Sequence, residues 1–366
     1  MTFSRLHKLH AAGQSVWLDN IDRTMLVDGS LARQIAADAL VGQTSNPTIF
    51  EKALAQGTAY DAQLAAAPDH LTTGQLFELV ASDDVRAACD LFRGVYESSG
   101  GVDGYVSIEV SPTVANDAQG TIEEAHRLWQ LVNRPNVMIK VPGTDVNVTL
   151  LFAVDAYRRV IEAYLGGLED RLAAGGDLRH VASVASFFIS RVDSEVDARL
   201  DALIAQADDI GKSRLGALKG KAAIANAKLA YALFQKHFSG PRWDALRTQG
   251  AHVQRPLWAS TSTKNPAYRD VVYVEQLVGP DTVNTMPPAT IVAFQDHGEV
   301  ARTVDAGVDT ARALMQTLAS EGISMTAVTD KLLLEGLASF QKSFDTLLGG
   351  LETKLRSLGR APVATV

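Results

Sequence analysis

Val137-Met138-Ile139-Lys140-Val141-Pro142-Gly143-Thr144 sets one lysine among four apolar residues and ends the run with a Pro-Gly pair. A short apolar run bounded by turn signals reads as a buried strand. Lysine is almost never fully buried unless it is paired, and an ammonium stripped of water lowers its pKa and neutralises. The neutral amine is a nucleophile that forms a Schiff base with a carbonyl substrate. Taken alone, the stretch reads more blandly as a lysine snorkelling out at a strand end, so the decision falls to what flanks it.

Working outward, seven more stretches read as strands: Ser15–Leu18 closed by Asp19-Asn20, Leu40–Pro47, Gly104–Pro112, Asn147–Phe152, His180–Phe188, Pro256–Thr261, and Thr282–Met286 stopped by Pro287-Pro288. Helical spacing covers 4–13, a stretch from Ser30 as N-cap, 48–55, 73–97, 153–173, 190–207 and 213–238. It also covers 119–133, with Thr121 and Glu124 as a capping box, and 298–318, 325–342 and 344–357. Strands separated by helices imply a parallel sheet. Eight such units predict an α/β fold, a (β/α)8 TIM barrel with extra helices and its chemistry at the carboxyl ends of the strands. The rival, an open doubly wound sheet, lacks its Gly-x-Gly-x-x-Gly or Walker loop here.

One feature disturbs this pattern. After Thr144 only Asp145 and Val146 precede Asn147, whereas parallel neighbours need a crossover of roughly a dozen residues. The barrel is therefore expected to be disturbed between strands 4 and 5, where the crossover helix is missing. Either a deletion leaves it strained, opened or inactive, or the molecule holds a segment that the sequence omits. Residues 1–366 are read as one barrel domain, with an N-terminal helix in 1–14, C-terminal helices in 298–358 and a mobile tail at 359–366.

The 366 residues are 46% hydrophobic, enough for a large core. A net charge of -8 disfavours nucleic acid and anionic membranes as partners but leaves room for a small anion in a local basic pocket. Cys89 is the only cysteine, which excludes an intrachain disulfide and a cysteine metal cage. Its helical spacing with Val85 and Phe92 predicts core packing, and a reducing cytoplasm fits. No apolar run is long enough to span a bilayer, and the first residues lack a signal peptide's apolar middle. No His, Asp or Glu group has metal-ligand spacing, so no metal is expected.

Polar residues recur where the apolar runs stop: Asp19, Thr44, Asn46, Glu109, Lys140, Asn147, Thr149, Ser186, Ser260 and Ser262. Any one of them is weak evidence, because strand ends and caps favour such residues. An acid at the first strand, an acid at the third and a lysine at the fourth form a more specific set. The carboxylates can shuttle protons, and a protonated lysine iminium is an electron sink for the carbanion left when a neighbouring carbon–carbon bond breaks. That chemistry needs neither metal nor prosthetic group. Arg191 after the sixth strand, with Ser262 and Lys264 after the seventh, suits a phosphate. Against this, Arg191 with Asp193 and Glu195 nearby reads as a solvated helix residue.

Six stretches carry a resemblance. They are Val16-Trp17-Leu18-Asp19-Asn20-Ile21, Thr44-Ser45-Asn46-Pro47-Thr48-Ile49-Phe50, Val106-Ser107-Ile108-Glu109-Val110, Met138-Ile139-Lys140-Val141-Pro142, Asn147-Val148-Thr149-Leu150-Leu151-Phe152, and Ala185-Ser186-Phe187-Phe188-Ile189-Ser190-Arg191-Val192-Asp193. In this order they resemble transaldolase, the class I aldolase of the pentose phosphate pathway. Trp17-Leu18-Asp19-Asn20 and Ser260-Thr261-Ser262-Thr263-Lys264 look like its long bacterial branch, found in actinobacteria and some others. The resemblance implies that Lys140 forms the Schiff base and that Asp19 moves the hydroxyl proton whose loss cleaves the bond. Glu109 and Thr149 would hold a catalytic water. Thr44, Asn46, Asn147 and Ser186, with Phe188, would bind the dihydroxyacetone unit, and Arg191, Ser262 and Lys264 the phosphate. Lys264 stands where many relatives carry arginine.

The implied transferase reaction moves three carbons from sedoheptulose 7-phosphate to glyceraldehyde 3-phosphate, giving erythrose 4-phosphate and fructose 6-phosphate. It implies small phosphorylated sugars as partners, no cofactor, a cytoplasmic setting and a monomer or homodimer. The alternatives are a related lysine aldolase acting on a small ketose, and a catalytically impaired barrel owing to the missing crossover.

Overall fold

In a computed structural model the described residues are 4–55, 57–142 and 147–363. The strands are β1 (Gln14–Asp19), β2 (Leu40–Thr44), β3 (Tyr105–Glu109), β4 (Val137–Pro142), β5 (Asn147–Leu151), β6 (Ser183–Phe188), β7 (Gln254–Ala259) and β8 (Thr282–Met286). They follow chain order around a closed barrel, the architecture expected. β2 to β4 pair in parallel, as do β5 to β8. Residues on both faces of these strands are buried, which is why they read as near-continuous apolar runs rather than alternating ones.

By contacts the chain divides into two units. The first holds Met1–Val16 and Gly143–Glu335. Its core sets the aromatic side chains of β6, β7 and the helices Val154–Ala173 and Ala222–His237 together. Phe187 meets Trp258 edge to face at 6.3 Å. The Ala222–His237 helix buries Ala222, Ala223, Ala225, Ala227 and Ala230, small residues that let neighbouring backbones approach.

The second unit holds Trp17–Pro142 and Gly336–Val366. Its helix Thr73–Ser98 starts with a complete capping box between Thr72 and Gln75 and buries Val85, Cys89 and Phe92, which places Cys89 in the core as expected. Gly42 in β2 has no room for a side chain, because a Cβ there would stand 2.5 Å from the Trp17 indole. Phe77 stacks edge to face between Phe50 and Phe344, at 5.5 and 5.9 Å.

Several boundaries differ from the sequence reading. Ser30 is the first helical residue; Gly29, at φ 77°, is the N-cap. The helix read from residue 119 starts at Ala118 and is capped by Asp117, whose carboxylate accepts the Gly120 N–H. Thr121 donates instead to Val114 O, and Glu124 accepts the Ser111 N–H, so these two form no capping box. The helix read over 213–238 is two, Asp209–Gly216 and Ala222–His237. The last two helices read at 325–342 and 344–357 are one, Met325–Ser357. In the segment read as a tail, Val363 O accepts the Thr73 N–H at 2.9 Å and Arg360 donates to Pro68 O at 3.0 Å.

No element separates β4 from β5 among the described residues, and residues 143–146 lie outside them. The strand order is nevertheless that of a closed barrel. Irregularity falls inside β5: its register on β6 shifts between Val148 and Leu151, and Leu150 takes φ 60°. A branched apolar residue in the left-handed region is strained and persists only where its surroundings hold it. Among the described residues no helix is long and apolar enough to cross a membrane.

Candidate active site

β3 and β4 run in parallel with Glu109 directly opposite Lys140. In this register Val106 and Ile108 stand opposite Val137 and Ile139. Both side chains are buried, 6% and 11% exposed, and Lys140 Nζ stands 3.3 Å from Glu109 Oε2. Burial pushes the Glu109 carboxyl from its ordinary 4.5 up to about 7; the Lys140 charge pulls the other way and Asp19 adds to the push. A carboxyl titrating near neutrality beside a lysine nitrogen can both take and return a proton at working pH.

The same unit supplies Asp19, Thr44 and Asn46. Asp19 ends β1, and its Oδ1 accepts the Thr44 hydroxyl at 2.8 Å. Asn46 follows β2, where its Oδ1 accepts the Ile49 N–H at 3.0 Å and caps the helix Pro47–Ala55. A cavity of about 500 Å³ reaches Glu109 and Asn46 and runs between Phe50, Phe77 and Phe344 towards Arg127.

The other unit supplies the remaining predicted residues. Asn147 opens β5 fully buried, and its Oδ1 accepts the Ser186 hydroxyl from β6 at 2.8 Å. This bond fixes the amide; among the described residues Asn147 Nδ2 has no partner, and neither has the buried Thr149 hydroxyl next to the strained Leu150. Orphaned buried donors are uncommon in proteins. Phe188 stacks on Phe152 at 5.3 Å and carries the Arg191 guanidinium over its ring at 5.7 Å.

Arg191 lies in the first turn of the helix Ser190–Ile204 and forms no hydrogen bond or ion pair among the described residues; burial lowers its pKa. Arg191 is half-buried, which differs from the alternative reading of a solvated helix residue. Asp193 turns inward to Ala223 and Tyr273, and Glu195 pairs with Arg199 and Lys331. After β7, Ser260 takes φ 57°, and its hydroxyl and backbone carbonyl both bind Ser190. Two residues on, Ser262 Oγ accepts from Lys264 Nζ at 2.9 Å.

Sequence reasoning missed three buried groups. Asn284 in β8 accepts the Thr261 hydroxyl at 2.9 Å, and among the described residues its Nδ2 has no partner. Asp193 and Asp197 are acids on the apolar face of their helix, 1% and 7% exposed. Their spacing, one turn apart among Val192, Val196 and Leu200, was a signal that could have found them.

The family model described as Transaldolase/Fructose-6-phosphate aldolase matches residues 16–351. A protein named Transaldolase 2 from Nostoc sp. is 47% identical over 378 aligned residues, covering 98% of this chain and 99% of the relative. Transaldolase from Frankia alni is 47% identical over 373, covering 97% and 98%. Transaldolase 1 from Streptomyces avermitilis is 47% identical over 375, covering 98% and 97%. Each aligned length exceeds the 366 residues present here, so each relative carries residues that this chain lacks. The chain belongs to the transaldolase/fructose-6-phosphate aldolase family.

Proposed function

We infer that the chain is a transaldolase, moving a dihydroxyacetone unit from sedoheptulose 7-phosphate to glyceraldehyde 3-phosphate and releasing erythrose 4-phosphate and fructose 6-phosphate. The observation that carries this reading is the buried Lys140 nitrogen held 3.3 Å from Glu109, a carboxyl that titrates near neutrality.

Lys140 Nζ, having passed on a proton, attacks the ketose C2 carbonyl. Glu109 protonates the resulting hydroxyl, which leaves as water, and an iminium remains. Asp19 takes the C4 hydroxyl proton, the C3–C4 electron pair flows into the iminium, and the aldose leaves as an aldehyde. The three-carbon enamine stays on Lys140. Its C3 attacks the aldehyde carbon of glyceraldehyde 3-phosphate, whose oxygen recovers the proton from Asp19. Water then hydrolyses the new iminium, with Glu109 and Thr149 holding that water. Thr44, Asn46, Asn147 and Ser186 bind the dihydroxyacetone hydroxyls and Phe188 walls them in. Arg191, Ser262 and Lys264 bind the phosphate; Lys264 supplies a point charge rather than a bidentate fork. This electron flow calls for no cofactor. The setting is cytoplasmic, and the enzyme works as a monomer or homodimer.

The short β4–β5 link favours a second reading, a barrel that keeps its residues but not its turnover. Borohydride reduction in the presence of fructose 6-phosphate separates the two. The expected result is a stable adduct on Lys140, absent in Lys140→Ala; no adduct on the wild type sinks the enzyme reading. Acceptor choice, glyceraldehyde 3-phosphate against water or small free aldehydes, separates transaldolase from a related lysine aldolase.

A further inference from the structure

The helix Ser190–Ile204 turns Val192, Asp193, Val196, Asp197 and Leu200 inward. Two carboxylates thus sit on an apolar face, and among the described residues neither forms an ion pair. Each accepts a backbone amide and a tyrosine hydroxyl. Asp193 Oδ1 accepts the Ala223 N–H and Oδ2 the Tyr273 hydroxyl, both at 2.8 Å. Asp197 Oδ1 accepts the Gly220 N–H at 2.9 Å and Oδ2 the Tyr268 hydroxyl at 2.5 Å. Gly220 takes φ 69°, and a Cβ there would stand 2.6 Å from the Tyr268 ring, so the ring rests directly on the backbone.

Burying a carboxylate costs desolvation, so these two are weak sources of stability. What these two do is fix position. The amides they bind lie at or just ahead of the start of the Ala222–His237 helix. The tyrosines belong to the segment after β7, which also carries Ser262 and Lys264. The helix that bears both acids begins with Ser190-Arg191. A cavity of about 360 Å³ is lined by Asp193, Asp197, Tyr268, Tyr273 and Lys264 together.

We propose that Asp193 and Asp197 are positioning residues for the phosphate grip: through Tyr273 and Tyr268 they lock the Ser262–Lys264 segment to the helix that presents Arg191. They touch no substrate. The proposal rests on the phosphate assignment made above and adds what holds that assignment in register.

The test uses Tyr268→Phe, Tyr273→Phe and the double variant. Each keeps the ring and the bonds from carboxylate to amide and removes only the tie to the post-β7 segment. KM and kcat are measured with fructose 6-phosphate and with unphosphorylated fructose as donors, inorganic phosphate is titrated as a competitive inhibitor, and Tm is recorded. The expected result for the double variant is a KM for fructose 6-phosphate and a Ki for phosphate that both rise about tenfold, the loss of one charge-assisted contact. Its kcat and its kinetics with unphosphorylated fructose stay at wild-type values. Equal losses with both donors, or no change with either, overturn the positioning role. If the Tyr273→Phe chains do not fold, Tyr268→Phe alone is judged by the same split. A wild type that shows neither phosphate inhibition nor preference for fructose 6-phosphate overturns the phosphate assignment and this proposal with it.

Discussion

Replacing Glu109 by glutamine keeps the shape of the side chain and removes the carboxylate that stands 3.3 Å from Lys140 Nζ. Burial raises the Glu109 pKa from 4.5 to about 7. A raised acid binds its proton more tightly in the folded state than in the unfolded one. Its contribution to stability is therefore fully present below 4.5 and is lost as pH rises through 7. Between pH 5 and pH 8 this amounts to roughly 2–3 kcal/mol lost. Urea titrations at those two pH values should thus show the wild type losing about that much more stability than Glu109→Gln. The m-value should not change. The same group should give kcat/KM a limb near pH 7, and the variant should lose that limb along with roughly 10²- to 10⁴-fold in kcat, the usual worth of a general acid–base. A variant whose stability still falls with pH as steeply as the wild type's, or whose activity keeps the limb, would falsify the assignment of the titration to Glu109.

Arg191→Ala should raise KM for fructose 6-phosphate by roughly 10- to 100-fold, the value of a charge-assisted hydrogen bond, with a smaller change in kcat; an unchanged KM removes Arg191 from the phosphate grip. Ser186→Ala leaves Asn147 Oδ1 buried without its donor, so stability should drop by about 1–3 kcal/mol and kcat/KM should fall with it. Denaturation and steady-state kinetics on one preparation check both. Gly42→Ala forces a Cβ to within 2.5 Å of the Trp17 indole and should cost about 1–3 kcal/mol through overpacking. A Tm equal to the wild type's would show that the ring gives way freely.

The strands were legible because a parallel barrel buries both strand faces, so each strand is written as an apolar run with a polar residue where it stops. Reading Asp19, Glu109 and Lys140 as one set needed only that each stand at the carboxyl end of a barrel strand. Features that depend on distant partners were not legible. The break before Ala222 is set by Gly220, whose conformation accommodates Tyr268 from the segment after β7. Thr121 looks like a cap in sequence because the bond it makes to Val114 is not visible there. Asp193 looked like a surface acid beside Arg191 because the tyrosine it binds lies beyond the next strand.

The short link between β4 and β5 was legible, and it is where a general rule about parallel strands conflicts with family membership. The residues on either side are each held from within their own unit: Lys140 by Glu109, and Asn147 by Ser186. Loss of a crossover therefore need not disturb either pair. On the proposed mechanism dihydroxyacetone engages the lysine, its acid and the Asn147 amide, whereas fructose 6-phosphate engages the phosphate grip as well. If both halves serve one substrate, borohydride should trap fructose 6-phosphate on Lys140 at far lower concentration than dihydroxyacetone, and Arg191→Ala should erase that advantage while sparing dihydroxyacetone. Equal trapping of the two ketoses by the wild type would mean that the lysine is alive and the link has cost the enzyme its grip.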